Sequence, residues 1–184
     1  GAVIPQRLAA PRFPSGRTRL ISARLELPIF FLREDNGLPG LSVADALSGS
    51  LRLQGMTEPA RLGGKSSTYI SINASYFLLP VSLVTVLIIT VQWPGLPNYR
   101  RQIQTRDQTL QKKPIALCRL VKHIGRSVQL FFQEFADSHF PENHEADYAW
   151  RVGEGGIRME DLLLIGIVHV SPGVFQVVLQ LAQP

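Results

Sequence analysis

"YFLLPVSLVTVLIITVQWPG" occupies residues 76–95 and is the most apolar stretch of the chain. From Ser66 to Tyr99 no residue is charged. As a helix, residues 74–93 supply the roughly 20 residues that span about 30 Å of hydrocarbon. Tyr76 and Trp93 would then sit at the two interfaces. Arg100, Arg101, Arg106, Lys112 and Lys113 follow the stretch, against Arg61 and Lys65 before it. The positive-inside rule places the C-terminal half of such a protein in the cytoplasm. Pro80, Ser82, Thr85 and Thr90 interrupt the run and count against a span. As a strand, "LVTVLIITV" (83–91) is β-branched and suits a position buried inside a sheet.

Working outward, "STYISI" (67–72) alternates and reads as a strand. "RLELPIFFL" (24–32) reads as a short strand and "REDNGLPG" (33–40) as a turn cluster. "LSVADALSGSLRLQG" (41–55) offers Ser42 as a helix cap, apolar Val43, Ala46 and Leu47 at helical spacing, and Gly49 as the stop. On the other side, "WPGLPNY" (93–99) has two prolines and must be irregular. "RRQIQTRDQTLQKKP" (100–114) reads as a polar, basic connection.

The clearest element is "PIALCRLVKHIGRSVQLFFQEFAD" (114–137). Apolar residues at 117, 120, 121, 124, 128, 131, 132 and 135 make one helical stripe. Pro114 suits a first-turn position, where a missing N–H costs nothing. Gly125 costs about 1 kcal/mol inside a helix, and the stripe outweighs it. "LLLIGIVHV" and "VFQVVLQL", separated by Ser171-Pro172-Gly173, read as a hairpin. The expected fold is α+β: one long amphipathic helix packed on a small, mainly antiparallel sheet with a C-terminal β-hairpin. In domain terms, residues 1–24 form a basic disordered arm and 25–66 a short strand, helix and loops. Residues 67–184 form the α+β domain, interrupted by the apolar stretch.

The chain has 184 residues and a net charge of +5. Its layout is uneven, with +7 over residues 100–126 and −6 over 127–184. One cysteine, Cys118, permits no intrachain disulfide and favours a reducing compartment. The chain begins at Gly1, which reads as a processed chain, a fragment or an incomplete gene model. No signal-peptide core precedes the domain.

Few motifs carry chemistry. "GGKSS" (63–67) ends like a phosphate loop, but Pro59 stands where the first glycine belongs. "GEGG" (153–156) lacks the three-glycine dinucleotide spacing and reads as a tight turn. His139, Glu142, His144, Glu145 and Asp147 match no metal-ligand spacing. His169 should face outward if Val168 and Val170 face the core, and it has no partner acid or nucleophile. Cys118 lacks a paired base. Asn73-Ala74-Ser75 is a glycosylation sequon that matters only in a secreted chain. These residues predict no catalytic site, no metal site and no cofactor.

The positive feature is basic. Arg119, Lys122, His123 and Arg126 fall at i, i+3, i+4 and i+7 and share one helix face. Arg100 and Arg101 lie upstream. Arg100, Arg101, Arg119, Lys122 and Arg126 are therefore the candidate anion-binding residues, suited to phosphates of nucleic acid or acidic lipid. The bland alternatives are a solvated face or a surface that docks on the acidic 134–147 segment. The expected function is a non-enzymatic intracellular interaction module. A single-span membrane protein with a cytoplasmic basic domain comes second, and an enzyme of unrecognised class third.

Three stretches, "QWPGLPNYRRQIQTRD" (92–107), "KKPIALCRLVKHIGRSVQLFFQ" (112–133) and "YAWRVGEGGIRMEDLLLIGIVHVS" (148–171), resemble an uncharacterised domain of predicted proteins from mushroom-forming fungi. The match covers residues 67–72 and 92–181. Leu96 stands where that domain has an aromatic, and Gln104 where it has proline. The resemblance implies no activity, since none is known for the domain. It also implies a third reading of the apolar stretch. In that domain the strand runs directly into the Trp-Pro-Gly turn, whereas here residues 73–91 intervene. An intron left in a gene model, pyrimidine-rich and a whole number of codons long, would translate into such a Phe/Leu/Val-rich insert.

Overall fold

The computed structural model describes residues 1–6, 25–60, 62, 86–106, 113–136 and 149–182. The readings made for 7–24, for "STYISI", for 73–85 with its sequon, for the phosphate-loop-like glycines and for the histidine-acid cluster lie outside these residues.

The described chain is α+β, as expected. Six strands form one mostly antiparallel sheet: β1 (Ile29–Phe30), β2 (Leu41–Ser42), β3 (Val86–Val91), β4 (Tyr99–Gln104), β5 (Leu162–Ser171) and β6 (Val174–Leu181). The order is β1-β5-β6-β3-β4, and β2 also pairs with β5. β3 and β6 run parallel, and the other pairs are antiparallel. The helix α2 (Leu117–Phe135) packs on one face, and the short α1 (Val43–Ser48) packs against α2.

The apolar stretch is therefore core in its described part. β3 lies between β4 and β6, and Leu87, Ile89 and Val91 are buried in the cluster under α2. The strand then turns through Gly95, which holds φ at +74°, and returns as β4. Trp93 fills the space at this turn: it is 3% exposed and its ring centroid lies 5.6 Å from those of Phe131 and Phe132. Its indole N–H donates to the Trp150 carbonyl. No described helix is long and apolar enough to cross a membrane.

Residues 100–104 correct the reading of a polar connection. They are β4, paired with β3 from Val86↔Gln104 to Val91↔Tyr99. The alternation that marks a strand is present, with Tyr99, Arg101 and Ile103 more buried than Arg100, Gln102 and Gln104. Arginine on the inner side hid it. The start of α2 is corrected too. Pro114 lies outside the helix in a bridge with Arg106, and Ile115 N–H donates to Thr105 O at 2.8 Å. The segment before α2 thus extends the edge of the sheet, and Ala116 is the N-cap, without a side-chain capping bond.

Other local readings agree with the structure. Ser42 Oγ accepts from Asp45 N–H at 2.9 Å, and Gly49 ends α1 in the left-handed conformation at φ +80°. Pro172 and Gly173 make the two-residue turn of the β5–β6 hairpin, with Gly173 at φ +74°, as a type II turn requires. The buried positions of α2 are Leu120, Val121, Ile124, Gly125, Ser127, Val128, Phe131 and Phe132. Gly125 is there for a reason that spacing did not reveal. A Cβ at this position would meet the Ala46 Cβ at 2.9 Å, so the glycine lets α1 approach α2. At the N-terminus, Ile4 is 1% exposed and its N–H donates to Leu179 O at 3.0 Å. This part of the expected arm is held against β6 because Ile4 is an apolar anchor.

Candidate anion-binding site

β4 is an edge strand, and its inner residues point under the N-terminal half of α2. Where strand and helix diverge they leave a cleft of about 360 Å³. It is lined by Arg101, Gln102, Ile103 and Gln104 of β4, by Arg106, by Ile115, and by Arg119 and His123 of α2. Ile103 and Ile115 are buried and give the cleft an apolar floor. Among the described residues, every ionisable group lining it is an arginine or a histidine.

Each side chain is placed by a separate structural cause. Strand alternation turns Arg101 toward α2 and Arg100 away. Helical spacing brings Arg119 and His123, at i and i+4, onto one face. The backbone bridge between Arg106 and Pro114 fixes Arg106 beside the cleft. Nη1 of Arg101 is buried and has no hydrogen-bond partner among the described residues. His123 is half-buried, and its pKa lies below the ordinary 6.5. Burial is the main cause, and the positive charges of Arg101, Arg119 and Lys122 add to it.

Of the five residues picked from sequence, the structure brings Arg101 and Arg119 into the cleft. Lys122 and Arg126 continue the basic face along the exposed side of α2, and Arg126 donates to Gln129 Oε1. Arg100 is separated from the cleft, on the outward side of β4. Arg106 was missed as a cleft residue, and His123 was seen only as part of the helix stripe. The period-two pattern of Tyr99, Arg101, Ile103 and Thr105 was the signal that could have found the inner wall. The acidic segment offered as an internal partner falls mainly on 137–147, outside the described residues.

His169 is also corrected. Its ring stacks on Phe175 with centroids 4.5 Å apart, on the same side of the sheet as the core. The cause is a bulge: the β5–β6 register shifts between Leu164 and Gly166. One extra residue reverses which parity faces inward. Nδ1 of His169 accepts from Glu26 N–H at 2.9 Å, and burial holds its pKa below 6.5. The Gly153–Gly156 stretch is a tight turn, closed by Gly156 N–H donating to Gly153 O at 3.1 Å. Cys118 is partly buried in the first turn of α2, and its N–H donates to Met56 O at 2.9 Å. Among the described residues no group of His, Cys, Asp and Glu could hold a metal ion. The chain matches no protein-family model, no curated protein and no solved structure.

Proposed function

We propose that this chain is a non-enzymatic interaction module that holds the phosphate backbone of a nucleic acid against the cleft and the adjoining face of α2. One observation carries the reading. Arg101, Arg106, Arg119 and His123 surround a single cleft, and Lys122 and Arg126 extend the same charge along the helix. From Arg119 to Arg126 the helix rises about 10 Å, a length that suits a chain of phosphates more than a single anion. No described aromatic residue lines the cleft, so the reading includes no base stacking and no sequence readout.

Salt dependence is the test. Each phosphate neutralised releases condensed counterions and contributes a log–log slope of about −0.9 on duplex DNA. Contacts from Arg119, Lys122 and Arg126 together should give a slope of roughly −3. Changing all three to alanine should flatten it and weaken every sequence about equally. Vesicles containing acidic lipid are run in parallel. Binding to vesicles without binding to duplex moves the function to a membrane surface. Absence of both at low salt, where screening is weakest, sinks the reading.

A further inference from the structure

We propose that the cleft between β4 and α2 is a discrete pocket for a doubly charged tetrahedral oxyanion, a terminal phosphoryl group on the nucleic acid, whose entry brings a proton onto His123. The proposal rests on the reading of this face as anion-binding and goes further, because it separates the cleft from the rest of the basic stripe.

Three observations carry it. The first is Arg101, whose buried Nη1 lacks a partner among the described residues. A buried donor left unpaired is costly, and a turn of the guanidinium into the cleft would pair it with an oxyanion oxygen. The second is the arrangement of charge. Arginines reach the cleft from β4, from the segment after it and from α2, over the buried Ile103 and Ile115. An apolar floor lowers the local dielectric and strengthens each charge–charge interaction. A backbone diester carries one charge per phosphate, whereas a phosphate monoester carries about −1.5 to −2 at pH 7. Arginines lining one cleft from both of its walls favour the monoester. The cleft volume of about 360 Å³ also leaves room for the sugar to which a terminal phosphoryl is attached.

The third observation is His123. Among the described residues, the charged groups facing it are Arg119 and Lys122 from its own helix and Arg101 from β4, and Arg106 lines the same cleft. Ile115, from the segment before α2, adds no charge. Burial and these cations favour the neutral imidazole. A bound dianion reverses the local field and favours the imidazolium. The ligand therefore binds together with a proton, and affinity rises as pH falls.

Inorganic sulfate is the probe, because its double charge does not change between pH 5.5 and 7.5. Uptake of one proton limits the gain over that window to about a hundredfold, and we expect roughly tenfold. His123→Gln should still bind sulfate at pH 7.5 but lose the dependence. In the unaltered chain, sulfate should raise the pKa of the His123 ring seen by NMR, which needs no variant to fold. A duplex with 5′-phosphate ends should bind several-fold tighter than one ending in hydroxyls. A flat sulfate profile, an unmoved His123 resonance, a pH dependence that survives in His123→Gln, or equal affinity for both duplex ends overturns the pocket. If duplex binding with its salt slope persists in those cases, the module reading stands alone. If neither sulfate nor duplex binds, both fall.

Discussion

Phe131 and Arg119 stand on the same helix under opposite constraints. Phe131 is wholly buried, and its ring meets those of Trp93, Tyr99, Phe132 and Phe135 at centroid distances of 5.1–6.0 Å. Arg119 is exposed and has no ion-pair partner among the described residues. The buried face is held by shape, so each side chain there answers to its neighbours. The basic face makes no described contact that would account for its charge. Stability explains the first face, and binding is the account we give of the second.

The most drastic way to break this comparison is to delete residues 73–91, which removes β3 from beneath α2. We expect a folded chain nonetheless. With 73–91 gone, "STYISI" abuts Gln92 and falls in the register of "VLIITV". Ile70, Ser71 and Ile72 then take the places of Ile89, Thr90 and Val91, and Thr68 replaces the buried Leu87. A cooperative urea transition with an unchanged slope supports the retained-intron reading, because the slope reports the surface exposed on unfolding. Precipitation would make 73–91 an essential part of the native sheet. Next in size is Phe131→Ala, which should cost about 3–5 kcal/mol as a large aromatic removed from a packed core. A loss under about 1 kcal/mol, the surface range, would mean that the stripe is misassigned.

Legibility from sequence followed the same division. α2 was plain because its apolar residues repeat over five turns and hardly any other structure fits them. The hairpin was plain because Pro172 and Gly173 separate two β-branched runs. β4 was not, because four of its six residues are arginine or glutamine placed after a proline-rich turn, and charge masked the alternation of Tyr99 and Ile103. His169 was misplaced by a single bulged residue, which no pattern of side chains announces. The candidate site was half legible. Helical spacing found Arg119, Lys122 and Arg126, but a cleft needs two walls, and the second was a strand read as a link. Gly125 shows the same limit, since its purpose lies in Ala46, far away in sequence.

Gly125→Ala sharpens the comparison from the packed side. Alanine gains about 1 kcal/mol in helix propensity over glycine. Its methyl would stand 2.9 Å from the Ala46 Cβ, and overpacking of this kind costs about 1–3 kcal/mol. We expect a net loss of about 1 kcal/mol by urea denaturation, taking the middle of those ranges. A more stable variant would show that α1 is not pressed against α2. Acid should act more weakly. His123 and His169 are both held below 6.5, chiefly by burial. The unfolded chain then binds protons that the folded chain refuses. Stability is full above about pH 6.5 and declines as pH falls below it, until the folded values are passed. The urea midpoint should therefore drop between pH 7.5 and 5.5, and less so in His123→Gln. A midpoint that does not change would mean that both rings are solvated.

The smallest expected effect decides most about the basic face. Lys122 and Arg126 are four residues apart on one face of α2, and Arg119 and Lys122 are three apart. Like charges at these spacings destabilise a helix by about 0.2–0.5 kcal/mol per pair. Replacing Arg119, Lys122 and Arg126 together by alanine removes that repulsion and adds helix propensity. The triple variant should therefore be as stable as the original chain or slightly more so, within about 0.5 kcal/mol, while losing its affinity for phosphate. That combination marks residues kept for a partner outside the fold. If the triple variant instead loses more than about 1 kcal/mol, beyond the range of exposed positions, the stripe has a partner within the chain. The acidic residues of 137–147 would be the first to test, by reversing their charge and measuring whether the stability returns.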